Sequence, residues 1–307
     1  MNYNELKGTG IPKFPKNARV CFLGDSLTSG SIWVQILFDQ YLKLCPQDTV
    51  RIFDCGIGGG TADYGLERLE DDLYPCDPTH VVIMYGENDI KSITGSADEK
   101  AEKFYCNMKK LAETIISRGI TVYFMSEPAR ELEAGEIDVR EVSSKVMNRL
   151  AEEFGTVCVD LFKIYSPLMR EGMAHPDKVH ITPLGGSMLA RVFLHLQGFD
   201  GFTPDDEGFF DMYDVSYDLD HRMIFNDKIR TVRLAERNIS TIGDTTEAKI
   251  ERLYRRLETR ADGAWDDFCY YRAIDFIERY PHMKFYREEL DRTTEKMIAD
   301  ALKGVTV

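Results

Sequence analysis

Short runs of β-branched and apolar residues alternate with longer amphipathic stretches over the first two thirds of this chain, and this alternation limits the folds it can adopt. The runs that read as strands are Arg19–Leu23, Val50–Cys55, His80–Tyr85, Thr121–Met125 and Thr156–Val159. Apolar residues three and four positions apart predict helices between and after them, at Ile32–Leu44, Asp98–Ser117, Glu136–Glu153 and Pro183–Leu196. Strands joined by helical crossovers form parallel sheets, so the pattern predicts a three-layer α/β/α sandwich with five parallel strands.

The strand pattern stops near Gly198, and the remaining sequence has a different character. The acidic segment Asp200–Asp220 is interleaved with aromatic residues, which favours an ordered loop. Helical patterns follow at Met223–Asn238, Thr245–Arg260, Trp265–Tyr280 and Lys284–Leu302. We therefore predict an α/β domain over residues 1–198 and an all-helical extension over residues 199–307. These helices have enough apolar residues to pack on the first domain or to join subunits of a homo-oligomer; a solvated extension is the alternative.

Composition excludes several classes of partner. The net charge of −14 argues against a nucleic acid partner, because binding phosphates requires clustered Lys and Arg. We find no apolar run of signal-peptide or membrane-span length, which predicts a cytoplasmic protein without a membrane span. The seven cysteines form no C-x-x-C pair and have no His at zinc-ligand spacing, so we expect free thiols and no metal or other cofactor.

The first predicted strand runs directly into Gly24-Asp-Ser-Leu27, ahead of a helix. Ser26 therefore falls at the carboxyl edge of the predicted sheet, where ligands bind in open α/β folds and where a helix N-terminus favours negative charge. A serine at this point can equally be a plain helix N-cap. From this motif alone, nucleophile and cap are equally good interpretations.

Two further strands end in residues that can bind an oxyanion. The second is followed by the glycine run Gly58-Gly-Gly60, where backbone amides can approach a ligand without obstruction by a Cβ. The third is followed by Gly86-Glu-Asn-Asp89, in which the Asn88 side chain can donate its NH2 to developing negative charge. The glycine run alone is a weak signal that could be mistaken for a dinucleotide loop, although no acidic residue follows at the place that would hold a ribose. The Asn88 motif alone could be a simple turn.

The last motif is Asp177-Lys-Val-His180, on a loop ahead of the helix Pro183–Leu196. This spacing allows the aspartate to hold one imidazole nitrogen while the other faces a serine hydroxyl. The rival histidines are His80 and His195, inside an apparent strand and helix, and His175 on the same loop. Asp160 is a rival acid that we interpret as structural.

Together, these four blocks resemble the SGNH hydrolases, also called the GDSL esterase/lipase family, over roughly residues 18–198. The resemblance implies a flavodoxin-like strand order 2-1-3-4-5. It also implies Ser26 as nucleophile, His180 as base and Asp177 as its orienting acid. The implied oxyanion donors are the Ser26 amide, the Gly59 amide and the Asn88 side chain. In the second block Asp54 replaces the usual Asn and the glycine run is longer, which leaves the choice between Gly58 and Gly59 open.

The expected activity is hydrolysis of a carboxylic ester through an acyl-enzyme, without a cofactor. Short loops after the second and third strands favour a short acyl group, such as an acetyl ester of a carbohydrate or small metabolite. Two alternatives remain: a lysophospholipase or thioesterase for longer acyl chains, and a non-catalytic binding protein built on a hydrolase fold.

Overall fold

The computed structural model describes residues 1–29, 33–45, 48, 50–130, 138–169, 173–174 and 176–204. Within them, five strands form one parallel sheet: β1 (Arg19–Gly24), β2 (Arg51–Gly56), β3 (His80–Met84), β4 (Thr121–Met125) and β5 (Cys158–Val159). Their order is β2-β1-β3-β4-β5, which confirms the predicted fold class and the strand order that the resemblance implies. The four helices predicted after residue 198, and most of the acidic segment, lie outside the described residues.

Nine α-helices accompany the sheet within the described residues. They are α1 (Tyr3–Leu6), α2 (Ser26–Ser29), α3 (Trp33–Leu44), α4 (Ala62–Glu67), α5 (Glu87–Ser92), α6 (Ala97–Ile116), α7 (Val139–Phe154), α8 (Leu161–Tyr165) and α9 (Pro183–Leu196). Single turns of π- and 3-10 helix lie at Leu69–Leu73, Tyr74–Cys76 and Ser166–Leu168. None of the described helices is both long enough and apolar enough to cross a bilayer.

The helices pack in two layers because successive side chains of a strand point to opposite faces of the sheet. Phe22 meets Trp33 of α3 and Phe193 of α9, with ring centroids 5.0 and 5.7 Å away. Its neighbour Cys21 points to the other face and meets Cys76. Helices on both faces bury all five strands, as their apolar sequences predict.

Helix ends follow local sequence. Ser96 and Glu99 form a capping box that starts α6, and the Asp138 side chain caps α7. Helix α7 ends at Gly155, which adopts a left-handed φ of 62°. These caps fix where α6 and α7 begin and where α7 ends.

Candidate active site

The carboxyl ends of the three central strands lie side by side. Gly24, the last residue of β1, pairs with Gly56 of β2 and with Met84 of β3. Ser26, Gly59 and Asn88 each follow one of these strands within four residues. The fold therefore brings the sequence-predicted serine, glycine and asparagine to one edge, the usual ligand-binding edge of such sheets.

Helix α2 holds Ser26 at the start of its single turn. Asp25 fixes the chain where it enters α2, because its Oδ1 accepts a hydrogen bond from the Leu27 amide at 2.9 Å. The indole of the fully buried Trp33 donates to the Leu27 carbonyl at 2.9 Å. A Cβ on Gly56 would lie 2.6 Å from a backbone nitrogen of α2, so glycine is required for this close approach.

His180 lies against Ser26 although 154 residues separate them in sequence. Its Nε2 is 2.9 Å from Ser26 Oγ, and its Nδ1 is 2.7 Å from Asp177 Oδ2. The other oxygen of Asp177 accepts hydrogen bonds from the amides of Val179 and His180 at 2.9 and 3.0 Å. This Asx turn fixes the carboxylate relative to the ring, so serine, imidazole and carboxylate form a continuous chain of contacts.

The charge of Asp177 is stabilised locally. Hydrogen bonds from the His180 ring and from the His180 and Val179 amides hold the pKa of this carboxyl well below its usual range. The His180 and Asp177 side chains are 40% and 50% exposed, so water screens their attraction. The contact therefore serves mainly to orient the imidazole.

Three backbone amides at this edge of the sheet have no acceptor among the described residues. The N–H groups of Ser26, Gly58 and Gly59 donate to no described residue. Gly58 adjoins the nucleophile candidate, since a Cβ built on it would lie 4.0 Å from Ser26 Cβ. Gly59 has a left-handed φ of 74° and occupies the turn closed by Gly60 N and Ile57 O at 2.9 Å. Such a turn presents free N–H groups to an anion.

The Asn88 side chain points toward α2 and the glycine loop. Its Nδ2 donates to Asp25 Oδ2 at 2.7 Å and to the Gly60 carbonyl at 3.2 Å. Burial raises the pKa of Asp25 to about 6, although its bond from the Leu27 amide acts in the opposite direction. Both amide protons of Asn88 are therefore engaged, the one facing Gly60 over the longer distance.

Residues 22–186 match the GDSL-like Lipase/Acylhydrolase family. The match covers more than half of the sequence. The chain belongs to this family. As a GDSL-like lipase/acylhydrolase, it is an ester-hydrolysing enzyme, in agreement with the sequence-based expectation. No curated protein sequence matches the chain.

Solved structures show the same fold at low sequence identity. The acetylxylan esterase Axe2 from Geobacillus stearothermophilus has 22% identity and a TM-score of 0.50, over 61% of this chain and 97% of Axe2. LAE5, an alpha/beta hydrolase from the metagenome of Lake Arreo in Spain, has 21% identity and a TM-score of 0.51, over 60% and 97%. BT4096, a gut microbial diltiazem-metabolizing enzyme, has 21% identity and a TM-score of 0.51 over 62% of this chain. That match spans about half, 49%, of BT4096.

In this GDSL-like enzyme, the described residues that were alternatives to His180 and Asp177 make other contacts. His80 is the first residue of β3, at the opposite end of that strand from Asn88. His195 is buried in α9, where Nε2 lies 2.7 Å from the Tyr3 carbonyl. Asp160 caps α8 and accepts hydrogen bonds from two serine hydroxyls and an asparagine amide, the structural role we expected. His175 lies outside the described residues.

The sequence analysis did not predict the buried ionisable residues beneath the site. Glu87, Glu127 and Arg140 are all almost inaccessible to solvent. Burial, followed by the nearby Asp25 carboxylate, raises the pKa of Glu127 well above its usual range. A signal for Arg140 existed, because it occupies the stripe of α7 whose other members, such as Met147 and Leu150, are buried. A charge on such a stripe indicates a buried partner.

The structure also brings together three thiols that the sequence separates. Cys21, Cys55 and Cys76 are buried, with their sulfur atoms within 4.8 Å of one another. Among the described residues, this is the one group of His, Cys, Asp or Glu side chains with the spacing of a metal site. The six described cysteines are free thiols, as predicted, and Cys269 lies outside the described residues. Buried thiols of this kind also pack as small apolar side chains.

Proposed function

We propose that this enzyme hydrolyses a carboxylic ester through an acyl-enzyme on Ser26, with His180 as general base and Asp177 as its orienting acid. The observation that carries the proposal is the chain of contacts from Asp177 Oδ2 through the imidazole to Ser26 Oγ, at 2.7 and 2.9 Å. When Nδ1 carries a proton and donates it to Asp177, the lone pair of Nε2 faces the serine hydroxyl. Nε2 then takes the hydroxyl proton as Oγ attacks the ester carbonyl.

The attack produces a tetrahedral intermediate with a negative oxygen. Protonated His180 returns its proton to the departing alkoxide, which leaves the acyl group on Ser26. Water then attacks the acyl-enzyme with His180 again as base, releasing the acid and restoring the serine. Every proton in this sequence moves through groups of the chain or the reactants.

The proposed oxyanion donors are the amides of Ser26 and Gly59 and the side chain of Asn88. The amide of Gly58, equally free of a protein acceptor and close to Ser26, is the alternative to that of Gly59. Asn88 can donate to the oxyanion by exchanging its longer bond to the Gly60 carbonyl, at 3.2 Å, while it keeps the 2.7 Å bond to Asp25. The exchange favours the charged intermediate because a hydrogen bond to an anion is stronger than one to a neutral carbonyl.

The proposed substrate is a short-chain ester, such as an acetyl ester of a carbohydrate or small metabolite. Two short strand-to-helix connections at the site support this substrate class. Strand β2 ends at Gly56 and α4 begins at Ala62, while β3 ends at Met84 and α5 begins at Glu87. Neither connection is long enough to form a large apolar flap for an acyl tail. Hydrolysis of p-nitrophenyl esters should therefore be fastest with acetate and decline toward octanoate. A maximum at long chains would contradict this substrate class.

Replacing the nucleophile tests the mechanism directly. Ser26→Ala should abolish both ester hydrolysis and labelling by a fluorophosphonate probe, while the far-UV circular dichroism stays unchanged. Ser29→Ala, in the same helix, is the matched control and should retain both. Hydrolysis by the Ser26→Ala protein at the wild-type rate would refute the proposal.

A further inference from the structure

We propose that Arg140 is a positioning residue that holds His180 in line with Ser26. This inference rests on the proposed function of His180. Arg140 lies in the first turn of α7 and is completely buried. Its hydrogen bonds go to none of the side chains of Ser26, His180 and Asp177, and it acts through the backbone of the base loop, residues 176–182.

One guanidinium group joins three separate segments of the chain. Nη2 donates to the carbonyl of Val179, the residue before His180, at 2.6 Å. Nη1 donates to the carbonyl of Pro128, beyond the end of β4, at 2.7 Å. Nε donates to Glu87 Oε2 at 2.6 Å, and Nη2 lies 2.5 Å from the same oxygen. The planar fork of arginine suits this arrangement, and a lysine ammonium cannot reach all three acceptors at once.

Glu87 connects this arrangement to the oxyanion side of the site. It is the first residue of α5, and Asn88 follows it directly. Although burial opposes its ionisation, Arg140 and Lys91 keep the pKa of Glu87 below its usual range, so the buried pair is ionic. The Glu87 amide also donates to Glu127 Oε2 at 2.8 Å, which fixes this residue through its backbone.

The turn of Asp177 and the bridge at Ile181 do not join the base loop to the sheet edge. The Asx turn of Asp177 sets the imidazole relative to its own carboxylate, but those hydrogen bonds stay inside the loop. The bridge between Ala174 and Ile181 joins the loop to the segment that precedes it. The bond from Arg140 to Val179 instead reaches helix α7 and, through Glu87, the end of β3. The 2.9 Å contact between His180 and Ser26 therefore depends on Arg140.

Arg140→Lys tests this role, since it keeps the positive charge and loses the fork. Displacement of a catalytic group by about 1 Å can lower a rate about 100-fold, so we expect kcat to fall about 10- to 100-fold. KM should stay within about twofold, because Arg140 is completely buried and offers no surface to a bound ester. Fluorophosphonate labelling should slow by the same factor as kcat, since it depends on activation of Ser26 and not on the ester.

The matched control is Arg191→Lys. Arg191 is also nearly inaccessible, and its guanidinium binds the carbonyls of Thr203 and Gly201, beyond the end of α9. This variant should unfold at lower urea concentration and keep the wild-type kcat and labelling rate. A purely structural role for Arg140 would give its variant the same phenotype.

Three outcomes separate the possibilities. An Arg140→Lys protein that folds and retains kcat within about twofold of wild type overturns the inference. If Arg140→Lys fails to fold, Glu87→Gln takes its place, because this substitution removes the negative charge that binds the Arg140 guanidinium. Unchanged kcat and labelling in Glu87→Gln also overturn the inference. Full activity in Ser26→Ala would instead refute the proposed function itself, whatever the Arg140 variants do.

Discussion

Asp89 provides a quantitative test of the burial of charge beneath the site. The residue is almost wholly buried, its Oδ1 accepts a hydrogen bond from the Ala62 amide at 2.9 Å, and its Oδ2 has no hydrogen-bond partner among the described residues. Burial raises the pKa of Asp89 from 3.8 to about 7, with the Asp25 and Asp63 carboxylates adding to the rise and the Ala62 amide opposing it. Asp89→Asn removes the ionisation and keeps an oxygen for Ala62.

The sign of the effect follows from proton binding. Between pH 3.8 and about 7 the folded state holds a proton on Asp89 that the unfolded chain releases, so stability falls as the pH rises through this range. At about 1.36 kcal/mol per pKa unit, the loss is about 4 kcal/mol above pH 7. The Asn variant avoids this loss, but its NH2 group replaces Oδ2 without an acceptor, at a cost of about 1–3 kcal/mol. We therefore expect Asp89→Asn to be about 1–3 kcal/mol more stable than wild type at pH 8 and less stable at pH 4.

Urea unfolding followed by tryptophan fluorescence between pH 4 and 8 measures this difference. The free energy of unfolding of Asp89→Asn should change over this range by about 4 kcal/mol less than that of the wild type. Asp77→Asn is the control, because Asp77 is exposed and Asn tolerates its left-handed backbone. Parallel pH curves for wild type and Asp89→Asn would refute the argument that Asp89 is protonated in the folded protein near neutral pH.

Three further predictions concern the site and the C-terminal segment. His180→Ala should reduce kcat nearly as much as loss of the serine, whereas Asp177→Ala should reduce it less because the acid only orients the base. Steady-state kinetics with the acetate ester measure both variants, and equal losses of kcat would contradict the assigned roles. Asn88→Ala should lower kcat by about 100-fold or more with little change in KM, and a change confined to KM would assign Asn88 to substrate binding. Truncation after Pro204 keeps the buried Phe199 and Phe202 and removes the four predicted helices of the proposed extension. It should change the mass in solution, the solubility or the activity if those helices pack on the hydrolase domain or join subunits. Light scattering and activity assays decide, and a soluble, fully active truncation of unchanged oligomeric state would refute both forms of packing.

Secondary structure was predictable wherever the pattern extends over several residues. The helix Pro183–Leu196 and the strand Thr121–Met125 have the predicted bounds. Strands β1 and β3 differ from prediction by one residue at one end, and β2 differs by one residue at both ends. The fifth strand is shorter than predicted, Cys158–Val159 instead of Thr156–Val159. The short helices Ala62–Glu67 and Leu161–Tyr165 were not predicted, because two turns or fewer show no clear period.

The sequence by itself determined the fold class, because strand and helix patterns are local signals. The candidate site residues came from four short motifs taken together and from their resemblance to a known family. Parallel strands bring their carboxyl ends to one edge, so residues that follow Gly24, Gly56 and Met84 could be placed near one another without coordinates. Only the tertiary structure decided what lies beneath them. Arg140 binds residues 53 and 39 positions away in the chain, and the protonation of Asp89 depends on how completely neighbouring segments exclude water. Hydrogen bonds between distant segments and the burial of charge are properties of packing, and a local sequence pattern contains neither.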